Sequence, residues 1–186
     1  MSLIDSFFIM HLTALFFVEF ILGNKSIKMA SAHKNVPHVW PSIQISLNTP
    51  SIYDEIIFYL SREGYEISND ALKRDWSKTY NSNKSVKNAW LSIYQNPSNE
   101  NELFKLGESL IEFDEQFSIY RWRHFVLVKK IIGYKSGTGG SSGVDYLDMT
   151  TKYRVFIDLW TVRSILIKKE ALPEIKNSAF YEFKGE

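Results

Sequence analysis

ELFKLGESLIEFDEQFSIYRWRHFVLVKKII, residues 102–132, carries the strongest structural signal in the chain. Its large side chains recur at alternating intervals of three and four residues, the spacing of one face of an α-helix. The positions that share this spacing are Leu103, Leu106, Leu110, Phe113, Phe117, Tyr120, His124, Leu127 and Ile131. The pattern predicts one helix of about eight turns, roughly 45 Å long. Asn99 and Glu102 are expected to cap its start and Gly133 to end it.

Shorter helices are predicted on both sides of this segment. One near 50–63 is expected to start with Thr49 as N-cap and Pro50 at the first position, and to end before Gly64. Its predicted inward side chains are Ile52, Ile56 and Leu60. Another helix, near 85–94, is expected to bury Val86, Trp90, Ile93 and Tyr94.

The two ends of the chain also contain helical signals. The apolar start, 4–22, is predicted to be a buried helix that ends at Gly23, since Asp5, His11 and Glu19 interrupt any membrane span. A last helix is expected over about 152–167, with Phe156, Leu159, Trp160 and Ile165 inward. The segments 24–48 and 64–84 are rich in polar residues, which predicts connections with at most short helical turns.

These signals predict an all-α fold of long antiparallel helices. The 186 residues show no internal repeat and no low-complexity linker, so a single domain over 1–186, or a large part of one, is expected. The 22 basic and 21 acidic residues give a net charge of +1, which does not favour nucleic acid or a membrane surface as a partner. Cysteine is absent, which excludes disulfides and thiolate chemistry and favours the cytoplasm.

His124 is the polar residue that breaks the apolar face of the long helix. An unsatisfied imidazole buried there would cost about 1–3 kcal/mol, so a partner is required. Two interpretations remain open. The histidine could be a core residue that is hydrogen-bonded to a neighbouring helix, or it could be an axial metal ligand such as the proximal side of a haem pocket requires.

A glycine-rich stretch, KSGTGGSSGVDYL at 135–147, follows the long helix. It lacks the Gly-Lys-Ser/Thr of a phosphate-binding loop, and no strand precedes it as a dinucleotide site requires. As a bare pattern it fits a flexible linker. It also fits a loop whose backbone lies close to a ligand, because it begins just past the helix that carries His124.

Together these segments resemble the tryptophan 2,3-dioxygenase family. The resemblance rests on YRWRHFVLVKKIIGYKSGTGGSSGVDYL and on further segments from about Glu19 to Arg163. These segments are EFILGNK, PSIYDE, LKRDWSKTY, AWLSIYQN, FDEQFSIYRWRHF and LWTVR. It implies a haem-binding helical bundle like that of indoleamine and tryptophan dioxygenases, with His124 as the axial ligand of haem b.

The resemblance further implies a reaction and a substrate site. Members of the family are typically homotetramers that add both atoms of O2 to L-tryptophan and form N-formylkynurenine, the first step of the kynurenine pathway of tryptophan catabolism. The threonine of the substrate loop corresponds to Thr138. The expected substrate-binding residues are therefore Thr138, Gly137, Gly139, Gly140, Ser141, Ser142 and Gly143. No catalytic side chain beyond these is assigned.

The start of the chain departs from the family pattern. Phe16 stands where the family has an arginine that binds the substrate carboxylate, and 1–16 has no recognisable counterpart. His11 does not match the histidine of the distal side. Three functions stay open: a tryptophan dioxygenase, an inactive haem-binding or partner-binding remnant, and a haem oxygenase-type enzyme for another indole or aromatic substrate.

Overall fold

The structure is a computed structural model that describes residues 17–31, 33–37, 39–96, 101–133 and 143–167. The regular elements of these ranges are α-helices, and no strand occurs among them, which confirms the predicted all-α class. In chain order they are α1 (17–22), α2 (Ile27–Ser31), α3 (Trp40–Asn48), α4 (Ile52–Arg62), α5 (Asn69–Leu72), α6 (Lys84–Gln95), α7 (Glu102–Ile132), α8 (Gly143–Thr150) and α9 (Ile157–Ile165). None of the helices in the described ranges is long and apolar enough to cross a membrane.

The long helix α7 has the predicted bounds, but a different residue caps it. The side chain of Asn101 accepts hydrogen bonds from the backbone N–H groups of Leu103, at 3.0 Å, and Phe104, at 3.2 Å. The prediction placed the cap two residues earlier, at Asn99, which lies outside the described residues. At the other end Gly133 adopts φ +62° and donates its N–H to the carbonyl of Lys129, as a helix-terminating glycine does.

Helix α4 also has a different N-cap residue from the predicted one. Its N-cap is Ser51 rather than Thr49, because Ser51 and Asp54 form a reciprocal capping box. The Ser51 Oγ accepts from the Asp54 N–H at 3.2 Å, and the Ser51 N–H donates to Asp54 Oδ2 at 2.8 Å. Ile56 and Leu60 are buried as predicted, whereas Ile52 is 44% exposed and the neighbouring Tyr53 is buried instead.

Two further helices correct the sequence prediction. Helix α3 forms inside a segment that was expected to be a connection, and it buries Ile43. Helix α9 covers Ile157–Ile165 instead of 152–167, and Ile165 is exposed rather than inward. By contrast, α6 agrees with the prediction, and its four expected core side chains are buried.

The main core lies where α4, α6, α9 and the first half of α7 meet. Its fully buried members include Tyr53, Leu60, Trp90, Phe156 and Leu159. On α7 this packing depends on Gly107, since a Cβ atom there would lie 2.8 Å from the Tyr94 hydroxyl and 3.2 Å from the Trp90 ring. The absent side chain therefore lets α6 and α7 approach closely.

A buried carboxylate lies within this core. Asp158 is fully buried and accepts hydrogen bonds from the hydroxyls of Tyr53, at 3.0 Å, Tyr80, at 2.7 Å, and Ser82, at 2.6 Å, and from the Asn83 N–H, at 3.0 Å. Burial, and then the negative charge of Asp158, raise the pKa of both tyrosines well above its usual value. The network ties α4 and α9 to the segment before α6.

Candidate functional site

His124 lies in the second half of α7, beyond the main core. The residue is half-buried, and its Nε2 atom is shielded from solvent. Its imidazole stacks on the Tyr120 ring one turn earlier, with ring centroids 6.1 Å apart and planes 11° apart. The imidazole is therefore held parallel to a neighbouring aromatic ring.

This stack continues along α7 as a row of aromatic rings. Tyr120 stacks on Phe117 at 6.1 Å with an angle of 3°, and Phe117 stacks on Phe113 at 5.9 Å with an angle of 22°. The three contacts join rings three or four residues apart, which is the spacing of one helix face. The predicted apolar stripe is thus a physical row that ends at His124.

The first part of that stripe covers the core. Leu103 is buried, and Leu106, Leu110 and Phe117 pack against the core. Other side chains of the second part are open: the exposed fractions are 44% for Phe113, 40% for Tyr120, 54% for Leu127 and 57% for Ile131. In the described part of the chain His124 therefore lies within an exposed apolar surface, which marks a binding region more often than a free face.

Two buried charged residues hold α7 in place around this surface. The first is Asp114, ten residues before His124. Its Oδ2 accepts hydrogen bonds from the Val155 N–H at 2.9 Å, the Phe156 N–H at 3.2 Å and the Trp160 indole N–H at 2.8 Å. This carboxylate caps the start of α9 from a neighbouring helix, which explains why α9 begins later than predicted.

The second is Arg121, one turn before His124. Its guanidinium donates to both carboxylate oxygens of Glu19, at 2.7 and 2.6 Å, and to the carbonyl of Tyr153 at 3.0 Å. Arg121 is 1% exposed and Glu19 is 3% exposed. The pair joins α1 and α7 across 102 residues of sequence. A paired, fully buried guanidinium of this kind fixes the rotation of its helix.

The sequence reasoning gave neither anchor a role. Glu19 was noticed as an interruption of the apolar start and as the first residue of a resembling segment. Asp114 and Arg121 were noticed only as parts of a resembling segment. The available signal was a charged residue on an otherwise apolar stretch, which requires a partner when it is buried. The identity of that partner depends on contacts far away in the sequence.

Helix α8 brings the end of the glycine-rich stretch to α7. Val144 and Leu147 of α8 are buried and pack with Phe125 and Val128 of α7, which follow His124 by one and four residues. Gly143 is the first residue of α8. The other predicted substrate-binding residues lie outside the described residues: they are Thr138, Gly137, Gly139, Gly140, Ser141 and Ser142.

A separate cavity of about 350 Å³ lies between α1, the end of α3 and the first turns of α4. Its walls include Phe20, Thr49, Ile52, Glu55 and Tyr59. Neither His124 nor Gly143 lines it. This cavity is therefore distinct from the predicted site.

The sequence around His124 matches a known family. Residues 91–166 match the family described as Tryptophan 2,3-dioxygenase. This range contains the row of rings on α7, both buried anchors of that helix and the whole of α8 and α9.

Curated relatives extend the match. The chain is 40% identical over 149 residues to Tryptophan 2,3-dioxygenase 1 of Ralstonia nicotianae, covering 80% of this chain and 51% of that protein. It is 40% identical to the Tryptophan 2,3-dioxygenase of Cupriavidus necator, with the same shares. That of Paraburkholderia phytofirmans is 41% identical over 80% of this chain and 49% of its own length. The chain spans about half the length of the curated relatives it matches. Over the matched residues the chain is similar to the tryptophan 2,3-dioxygenase family, which confirms the resemblance predicted from its sequence.

Proposed function

We propose that the complete protein is a haem-dependent dioxygenase that converts L-tryptophan and O2 to N-formylkynurenine, with His124 as the axial ligand of haem b. The single observation that carries the proposal is the place of His124. It stands at the end of a row of stacked rings, on an exposed apolar surface of a helix that two buried charged residues hold in place.

The residues present fit such a group. A porphyrin is a broad apolar plane that requires apolar surface and one nitrogen donor from the protein side. Leu127 and Ile131 offer exposed apolar surface on one side of His124, and Tyr120 and Phe113 offer it on the other. Binding of iron at Nε2 would require the atoms that shield it to move aside.

In this proposal the protein supplies position, and the bound haem supplies the iron at which O2 reacts with the indole. The stack on Tyr120 would hold the imidazole plane steady. The Glu19–Arg121 pair and the Asp114 cap would stop α7 from rotating and thus from carrying His124 away. The apolar side chains around His124 would exclude water from the site.

The substrate side of the proposal rests on the glycine-rich stretch. The hydroxyl of Thr138 and the small residues from Gly137 to Gly143 would receive the polar end of tryptophan. Support comes from the family match and from α8, whose first residue, Gly143, brings one end of that stretch back beside α7.

Several expectations about the whole protein also stay proposals. The first is assembly as a homo-oligomer, which in this family is typically a homotetramer. The second is a cytoplasmic location. The prediction of a single domain over 1–186 with a divergent start at 1–16 is likewise untested, because 1–16 lies outside the described residues.

An absorption titration with haemin tests the ligand assignment. We expect the chain to bind one equivalent with a distinct Soret band, and His124→Ala to lose that band while retaining its helical circular dichroism. His33→Ala is the matched control, because His33 is also half-buried but lies before α3. Equal haemin binding by His124→Ala and the unsubstituted chain would refute the assignment.

A second candidate function is haem binding without catalysis, because the described residues surround His124 on one side only. The described residues build a single wall around His124, and the apolar side chains of that wall are 40–57% exposed. A chain of this kind could bind haem without turning over substrate. Ferrous, haem-loaded protein with tryptophan and O2 would then give no N-formylkynurenine. The prediction of another indole substrate depends on Phe16, which lies outside the described residues.

A further inference from the structure

The cavity between α1, the end of α3 and the first turns of α4 lies apart from His124 and has no role in the proposed function. Its volume of about 350 Å³ is at the lower end of the range of small-molecule sites. Phe20 and Ile56 in its walls are buried, whereas Ile21 and Ile52 are 49% and 44% exposed. The cavity therefore reaches from the core of the fold to its surface.

The walls of the cavity are mainly apolar and carry an aromatic ring on each of two helices. Phe20 lies on α1 and Tyr59 lies on α4. Ile52, Ile56 and Tyr59 follow one face of α4 at spacings of four and three residues. Aromatic side chains offer large apolar contact areas and pair well with a further ring, either offset or edge-to-face. These walls therefore suit a ligand with an aromatic body.

Glu55 is the one charged residue among the described residues that line the cavity. It lies on the same face of α4, one turn before Tyr59, and the residue is exposed. No ion pair within the described ranges includes Glu55. A carboxylate can only accept hydrogen bonds, and the bond it accepts from an ammonium ion is one of the stronger polar contacts. The rim of the cavity therefore favours a cationic group on the ligand.

The basic residues around this part of the fold are not available to a ligand in the cavity. Lys25 is buried and donates to backbone carbonyls at the end of α3. Arg74 pairs with Asp54, which also caps the start of α4. The Arg62 guanidinium lies over the Tyr59 ring, 5.8 Å from its centroid, and does not line the cavity. A ligand carboxylate would thus find no basic partner in the described walls.

We infer that this cavity binds a small arylalkylamine, a ligand in which an aromatic ring is joined to a primary ammonium group. The ring packs against Phe20, Ile52 and Tyr59, and the ammonium group donates to the Glu55 carboxylate. An amino acid fits less well, because its carboxylate has no partner there. The cavity shares no residue with the proposed haem and tryptophan site, so the inference is independent of the proposed function.

Isothermal titration calorimetry of the full chain with 2-phenylethylamine tests the class of ligand. We expect saturable binding of this amine. The matched probe is 3-phenylpropanoate, which has the same ring and carries a carboxylate in place of the ammonium group. It should bind about tenfold more weakly or less, because Glu55 repels it. No binding of the amine, or equal binding of the two probes, overturns the inference.

Two substitutions on α4 test the location of the site. Glu55→Gln keeps the size of the side chain and removes its charge, so the amine should bind about tenfold more weakly. Ile52→Ser should weaken the binding of the amine by about fivefold, because it removes apolar contact with the ring. Glu63→Gln is the control, since Glu63 is exposed just past the end of α4 and lies outside the cavity. Equal binding by Glu55→Gln and Glu63→Gln, in chains that keep their helical circular dichroism, overturns the assignment of this cavity.

Discussion

Where α4, α6 and α9 meet, aromatic and polar groups are buried around a fully hydrogen-bonded carboxylate, whereas the second half of α7 exposes aromatic and apolar groups. Asp158 is completely enclosed and accepts four hydrogen bonds, and Tyr53 and Trp90 beside it are 0% exposed. On α7, Tyr120 and Leu127 are 40% and 54% exposed. The first region supplies stability, and the second keeps apolar surface available for a partner or a ligand.

The comparison also shows how one helix serves both regions. The first half of α7 packs into the closed core through Gly107, and its second half carries the open surface. Asp114 and Arg121 lie between the two regions and are both buried. We therefore expect substitutions to change stability most in the closed region and ligand binding most in the open one.

The largest effect is expected at Asp158. In Asp158→Ala the hydroxyls of Tyr53 and Tyr80 and the N–H of Asn83 lose their acceptor inside the core. At about 1–3 kcal/mol for each buried group, the free energy of unfolding should fall by about 5 kcal/mol. Urea denaturation followed by circular dichroism measures this loss. Asp148→Ala, on the exposed face of α8, should change it by less than about 0.5 kcal/mol. Similar losses for the two variants would mean that the core does not depend on the network.

The next effect is expected where the two regions meet. Arg121→Met leaves Glu19 buried without its cation, which should cost about 3 kcal/mol in unfolding free energy. Arg123→Met changes an exposed arginine on the same helix and serves as the control. The double variant Arg121→Met/Glu19→Gln should recover part of the loss. No recovery would show that the arginine acts through packing rather than through the ion pair.

A smaller, pH-dependent effect is expected from Asp54 in the closed region. Burial raises the pKa of its carboxyl, but hydrogen bonds from Arg74 and Ser51 outweigh burial, and the pKa lies below its ordinary value of 3.8. Because the folded-state pKa is the lower one, the contribution of Asp54 is present above pH 3.8 and disappears as the pH falls through the folded-state value. The midpoint temperature of thermal unfolding should therefore fall less steeply between pH 6 and pH 3 in Asp54→Asn than in the unsubstituted chain. Identical pH profiles would contradict a role for this ion pair.

The smallest effect on stability is expected in the open region. Leu127→Ser removes an exposed side chain, so the free energy of unfolding should change by less than about 0.5 kcal/mol. Haemin affinity, in contrast, should fall by about tenfold, because a leucine buried by the ligand contributes about 1.5 kcal/mol or more. Ile45→Ser changes a side chain that is 65% exposed on α3, and it should leave haemin affinity unchanged. If Leu127→Ser lowered the free energy of unfolding but left haemin affinity unchanged, this surface would contribute to stability rather than to ligand binding.

Local sequence signals predicted the helices better than their ends and contacts. The bounds of α7 followed from a regular spacing sustained over 31 residues. Its cap did not, because several asparagines compete in one short stretch and only the local backbone selects Asn101. Helix α3 was missed because it buries one residue, Ile43, and exposes Ile45, so its sequence shows little periodicity.

The candidate site was predictable only in part for a related reason. His124 stood out because it interrupts an apolar pattern that the sequence itself displays. Asp114 and Arg121 required knowledge of groups 41 and 102 residues away, which no local spacing contains. The open state of the surface around His124 was also beyond local reasoning, because exposure depends on what the rest of the fold covers.

Rescue of His124→Gly by imidazole tests the central claim most directly. The smaller side chain leaves room for free imidazole to replace the missing ligand on the same surface of α7. We predict that the variant lacks the histidine-type Soret band of the unsubstituted chain and regains it when imidazole is added. The same band in His124→Gly without imidazole would show that another group binds the iron, and the account of this surface would be wrong.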